Sequence, residues 1–185
     1  MSGPQFSIRT ATASDIPALE PLIEQSVRQL QQTDYSPSQI DSSIGSIFGI
    51  DRQLIRDGTY FVATPRNDLS HLVACGGWSF RRTLYGSDQL ADRNDTVLDP
   101  AIDHAKIRAI FVHPDFARRG LGSLLLTHCE QAAQAAGFRR FEMGSTLTGV
   151  PLYTLKGYVE RNRVAVPLPN GEQLTVVHMN KSLQI

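Results

Sequence analysis

Phe111-Val112-His113-Pro114 is an apolar run stopped by a proline, and it leads through Asp115, Phe116 and Ala117 to Arg118-Arg119-Gly120-Leu121-Gly122-Ser123. Residues of these types at this spacing suit an anion. If a helix begins near Arg119, its first amides lack intrahelical acceptors and the positive end of its dipole faces the same way. Glycines at alternate positions let a ligand's oxygens reach the main chain with no Cβ between them. Arg118 and Arg119 add charge-assisted contacts to phosphate. Three phosphate-binding patterns compete for such a stretch. A G-x-x-x-x-G-K-[ST] loop is absent, and a dinucleotide fingerprint needs a third glycine where Leu125 stands. The third pattern, strand, proline, arginines, G-x-G and helix, is a cradle for the pyrophosphate of coenzyme A. A glycine-rich helix start that merely packs is the plainer alternative.

The surrounding elements must hold this stretch in place. Residues 105–112 read as a strand, and 119–136 as a helix with Leu121, Leu124, Leu125, His128, Ala132 and Ala135 on one face and Gly137 as its left-handed stop. Upstream, 6–9 alternates as a strand. Thr12, Ser14 and Asp15 then offer caps to a helix whose Ile16, Leu19, Leu22, Ile23, Val27 and Leu30 recur at helical spacing. A weaker helix over 38–47 follows a break at 33–37. Strands over 59–64 and 71–80 form an antiparallel hairpin, with a bulge at Gly76 and Gly77. The polar stretch 82–103 is long for a connection, and such loops are often functional. A strand over 138–143, a short helix over 150–156 and two hairpin strands over 158–166 and 173–179 complete the chain. The order β α α β β β α β α β β, without repeats, predicts one α/β (α+β) domain over 1–185.

Composition narrows the partners. The 185 residues carry 18 Lys+Arg against 18 Asp+Glu, and 41% are hydrophobic. Such a length supports one self-sufficient core, and the neutral balance speaks against nucleic acid or an anionic membrane as partner. No apolar run approaches the ~18 residues of a membrane span, and the first residues lack the pattern of a secretory signal. Cys75 and Cys129 are isolated, and His104, His113 and His178 are scattered. No metal is therefore expected, and a cytoplasmic location fits the two lone thiols.

On the cradle, on Ile8-Arg9-Thr10-Ala11 leading to Asp15, and on Leu152-Tyr153-Thr154-Leu155-Lys156-Gly157-Tyr158, the sequence resembles the GNAT superfamily of N-acetyltransferases over nearly its whole length. The superfamily motif R/Q-x-x-G-x-G/A is matched except at its first position, where Ala117 stands. The resemblance implies a mixed, mostly antiparallel sheet of about seven strands flanked by four helices, with splayed central strands over 107–112 and 138–143. It implies acetyl-CoA as co-substrate. The pantetheine amides would pair with the main chain of Phe111 and Val112 as an added strand does. The pyrophosphate would sit on Arg118, Arg119, Gly120, Leu121, Gly122 and Ser123. Thr146 occupies the position where many members carry a pantetheine-binding asparagine. Tyr153 stands where the family's general acid usually sits, ready to protonate the departing thiolate, and an N–H near Phe111 or Val112 would meet the carbonyl oxyanion. Tyr158 reads as core.

The expected acceptor is a primary amine of a small molecule or peptide, acetylated by direct attack in a ternary complex. An alkylamine with a pKa of ~10.4 is mostly protonated at neutral pH and must lose a proton first. Lys106 stands where some members carry a strand glutamate, with Arg108 as its same-face neighbour. Glu142 is expected to pair with Arg140 or Arg108, so no base is assigned. Tyr35, Trp78 and Arg81, with Tyr85, are the aromatic and cationic candidates for acceptor recognition, with core packing the plainer reading of Trp78 and solvation that of Arg81. A monomer or homodimer is expected. The missing first motif residue and strand carboxylate keep open a non-catalytic acetyl-CoA sensor or scaffold.

Overall fold

The computed structural model describes residues 5–90 and 93–183. Seven strands, β1 (Phe6–Thr10), β2 (Tyr60–Pro65), β3 (Ala74–Ser79), β4 (Ala105–Val112), β5 (Arg140–Thr146), β6 (Val159–Pro167) and β7 (Gln173–Ser182), form one sheet in the order β1-β2-β3-β4-β5-β7-β6. The helices are α1 (Ile16–Leu30), α2 (Pro37–Ser43), α3 (Arg52–Arg56), α4 (Leu121–Ala135) and α5 (Val150–Leu155). Period-two alternation along β2 decides which face meets which helix. Tyr60 and Val62 pack with Leu19, Leu22, Ile23 and Val27 of α1. Phe61 and Ala63 turn the other way, onto Leu121, Leu125, Leu126 and Cys129 of α4. The mixed, mostly antiparallel sheet is thus sandwiched between α1 and α4.

Local chemistry moves several boundaries. The short helix α3 is additional to the four expected. Asp51 opens it by accepting from the Gln53 amide at 3.1 Å, and five residues are too few to show a helical period. Helix α2 stops at Ser43 because Ile44 is extended. Helix α4 starts at Leu121 because Arg118 (φ 63°) and Gly120 (φ 83°) are left-handed, a geometry no helix continues through.

The central strands diverge. Parallel pairing of β4 with β5 is confined to Ala105↔Phe141 and Lys106↔Glu142. Beyond it, the β3–β4 register slips between Cys75 and Gly77, so that Ala109 and Ile110 of β4 together oppose Gly76. This is a β-bulge, which bends the bulged strand. Gly76 makes room for it, since a Cβ there would lie 2.8 Å from Ile110 Cγ1. Ala109 takes φ 53°, and the buried Tyr60 hydroxyl donates to its carbonyl at 3.2 Å. The edge of β4 facing β5 is thereby left open from Ile107 onward.

The polar stretch after β3 is a strap folded on itself. Arg82 and Thr83 amides donate to Thr96 and Asn94 carbonyls, both at 3.0 Å, and Leu98 N donates to Phe80 O at 2.8 Å. Arg108 on β4 ties this strap down, donating to the Thr83 and Gly86 carbonyls at 2.9 and 2.7 Å and to Asp51 at 2.7 Å. Arg93 reaches the same carboxylate at 3.1 Å.

Candidate active site

The turn from β4 to α4 holds the cradle residues. His113 caps it by accepting the Asp115 amide on Nδ1 at 3.2 Å, and Ala117 N returns to Pro114 O at 3.1 Å. From Arg118 to Ser123, no amide donates to another described residue, and the first helical bond is Leu124 N to Gly120 O at 2.9 Å. Arg118, Arg119 and Gly120 are exposed, with the Arg119 guanidinium over the Phe116 ring at 5.0 Å. A Cβ built on Gly120 would meet nothing within 4 Å. Consecutive unpartnered amides at a positive helix end, open on their outer side, suit a diphosphate. Gly122 has a different task. Its missing Cβ lets Leu152 of α5 approach, as a Cβ there would sit 3.0 Å from Leu152 Cδ2.

Between the diverging strands lies a cavity of about 90 Å³. Phe111, Ser145, Thr146 and Tyr153 line it, as do Gln31 at the end of α1, Phe48 and Gly49, and Leu84-Tyr85-Gly86 from the strap. Gly149 brings α5 onto the end of β5, since a Cβ there would meet Ser145 Oγ and Tyr153 Cε2 at 2.8 Å. The Tyr153 ring packs edge-on to Tyr158 at 6.0 Å, and its hydroxyl bonds to no other described residue. Burial pushes the Tyr153 phenol well above the ordinary tyrosine range.

The sequence model of the GNAT acetyltransferase family matches residues 24–157, which include both the cradle and the Tyr153 helix. The chain belongs to the GNAT acetyltransferase family. Its fold is similar to that of a GCN5-related N-acetyltransferase from Rhodopseudomonas palustris, at TM-score 0.71 and 22% identity, covering 99% of each chain. It is also similar to the PaiA N-acetyltransferase from Thermoplasma acidophilum, solved in complex with coenzyme A, at TM-score 0.64 and 14% identity over 98% and 99% of the two chains. A ribosomal-protein-alanine N-acetyltransferase from Brucella melitensis aligns at TM-score 0.62 and 18% identity over 96% and 99%. No curated protein matches the sequence.

Of the residues anticipated at the coenzyme side of this GNAT chain, Arg118 to Ser123 form the turn into α4, Phe111 and Thr146 line the cleft, and Val112 is not among the described lining residues. The Val112 amide already donates to Ser26 Oγ of α1 at 3.2 Å. Thr146 Oγ1 is engaged as a helix cap, accepting the Gly149 amide at 3.1 Å. The three residues anticipated at the acceptor side are placed elsewhere. Tyr35 is buried as a staple: its hydroxyl donates to Thr175 O at 2.7 Å and accepts Leu147 N at 2.8 Å, and burial pushes its pKa up to about 12. Trp78 packs edge-on against Phe80 and Phe138 in the α4-side core. Arg81 clamps Asp57 through two bonds of 2.7 and 2.8 Å. Glu142 pairs with Lys106 and with His178 Nε2 at 2.7 Å, not with Arg140, which donates to Ile102 O, nor with Arg108. Tyr85, from the long polar stretch, does reach the cleft, where the absence of a Cβ on Gly144 leaves room for its ring. Gln31, Ser145 and Gly149 went unread at the sequence level. Gly149, just ahead of Pro151-Leu152-Tyr153, was the one legible signal among them.

Proposed function

We propose that this GNAT protein is an N-acetyltransferase that moves the acetyl group of acetyl-CoA to a primary amine within a ternary complex. The observation that carries the reading is the run of unpartnered amides from Arg118 to Ser123, next to a strand splay whose cleft Tyr153 lines. The amides and the two arginines hold the diphosphate. Residues of β4 along the open edge pair with the pantetheine amides, and Ser26 yields the Val112 N–H when that partner arrives. Thr146 adds a hydroxyl beside them.

The amine nitrogen attacks the thioester carbonyl, the carbon–sulfur bond breaks, Tyr153 gives its proton to the leaving sulfur, and the proton shed by the new amide nitrogen restores the phenol. A main-chain N–H of the Phe111–Val112 segment meets the oxyanion. Because the Tyr153 phenol titrates well above the ordinary tyrosine value, it stays protonated across any ordinary assay range. The described residues lining the cleft include no Asp, Glu or His, so the ammonium proton leaves to water.

Thiol release from acetyl-CoA over an amine panel, with calorimetric coenzyme binding as control, tests the reading. Tyr153→Phe is expected to lower kcat by about 10²-fold or more, while the coenzyme Kd stays within about twofold. A protein that binds acetyl-CoA but releases no thiol with any amine is a sensor or scaffold instead.

A further inference from the structure

Gln31 ends α1. Its backbone amide closes on Val27 O, and its carbonyl accepts Asp34 N and Tyr35 N, both at 3.1 Å, where the chain reverses. The reversal is pinned from the far side by the Tyr35 hydroxyl, held between Leu147 and Thr175. These bonds fix the Gln31 side chain in the interior, 6% exposed, on the wall of the cleft that Tyr153 also lines. Among the described residues, Gln31 Oε1 is the buried side-chain oxygen or nitrogen without a hydrogen-bond partner. A buried acceptor left unpaired carries its full desolvation cost, and in a native protein it calls for a ligand, a water or an ion.

The rest of the wall says what kind of ligand. Ile47, Phe48, Leu84, Ile110 and Val176 are apolar, and no carboxylate stands among the described lining residues. The single formal charge there is Arg108, a cation whose guanidinium is committed to Asp51, Thr83 and Gly86. A second ammonium on the acceptor would lose its water here with no counter-charge and a cation for a neighbour. The strap residues Leu84-Tyr85-Gly86, pinned by Arg108 through the Thr83 and Gly86 carbonyls, form part of the same wall.

We propose that the acceptor is a small monoamine with an apolar alkyl or aryl body, and that Gln31 recognises its amino group by accepting an N–H on Oε1. This rests on the acetyltransferase reading above. The body of the amine lies against the apolar wall, and the single donor head supplies the hydrogen bond that Gln31 lacks.

Steady-state thiol release by the full chain would compare 2-phenylethylamine and n-hexylamine with spermidine and an alanine-initial tripeptide. The monoamines are expected to exceed the other two in kcat/KM by about tenfold or more, the ratio that ~1.4 kcal/mol produces. Preference for spermidine overturns the proposal and points to the neighbouring groove of Glu20, Glu24 and Asp88 beyond Phe48. Preference for the tripeptide overturns it in favour of a protein N-terminus.

Gln31→Leu is expected to raise KM for the best monoamine about tenfold, as loss of one net hydrogen bond does. Its kcat and coenzyme Kd should stay within about twofold and its Tm should not fall, since an unpaired acceptor has been removed. Gln31→Glu should shift preference toward spermidine. An unchanged KM in Gln31→Leu sinks the Gln31 assignment even if monoamines win. Coenzyme binding with no thiol release for any amine overturns the acetyltransferase reading, and this one falls with it.

Discussion

Asp15 illustrates how one side chain ties sequence to stability. Arg9 on β1 grips it through bonds of 2.8 and 2.6 Å, and the Thr12 amide donates to it at 2.8 Å, closing the turn that launches α1. The Arg9 guanidinium and the Thr12 amide, working against burial, lower the Asp15 pKa to about 2. The folded value lies below the unfolded one of ~3.9, so the interaction stabilises fully above about pH 4 and is lost as pH falls through 2. With Arg9 half in solvent, about 1–2 kcal/mol is the expected size. Asp15→Asn should therefore lower Tm at pH 7 and flatten its fall between pH 4 and 2. Equal acid slopes for the two proteins would contradict this. The capping use of Asp15 was legible because it is local, three residues from its amide. Trp78 left two readings open, core and acceptor mouth, because a lone aromatic reads the same whether it meets substrate or Phe138; the structure has the core one.

At the scale of elements, the decisive feature is where α4 begins. A strand, a helix and a glycine between them were readable from periodicity and residue type. That the helix starts at Leu121 rather than Arg119 was not, since it turns on Arg118 and Gly120 adopting positive φ. Gly120→Ala meets no steric obstacle, so its effect isolates the backbone. It should cost about 1 kcal/mol of stability, the penalty of a Cβ in left-handed geometry. Coenzyme affinity should fall with it, measured by calorimetry, as the unpartnered amides of the cradle shift. Full affinity in a destabilised variant would separate the cradle from coenzyme binding. The bulge on β4 has the same character. Gly76-Gly77 signalled it, but only pairing with β4 shows that it opens the edge between the central strands.

For the whole molecule, Asp51 is the knot. It caps α3, accepts from Arg93 in the strap and from Arg108 on the central strand, and is 1% exposed. Removing one partner of a buried ion pair leaves an uncompensated charge and typically costs about 3–5 kcal/mol. Asp51→Ala should lose roughly that much in denaturant unfolding, and its KM for the amine should rise as the strap loosens from Arg108. A loss under about 1 kcal/mol would mean that the network is solvated rather than buried. By itself the sequence determined the succession of strands and helices, the phosphate-suited turn and the tyrosine helix. Periodicity, caps and glycine positions act over a few residues, and they sit side by side in the chain. The tertiary structure alone decided that Tyr35 staples, that Arg81 clamps Asp57 and that Gln31 faces the cleft unpaired. Those outcomes depend on partners 24 to 140 residues away, and no local pattern encodes which distant atom completes a hydrogen bond.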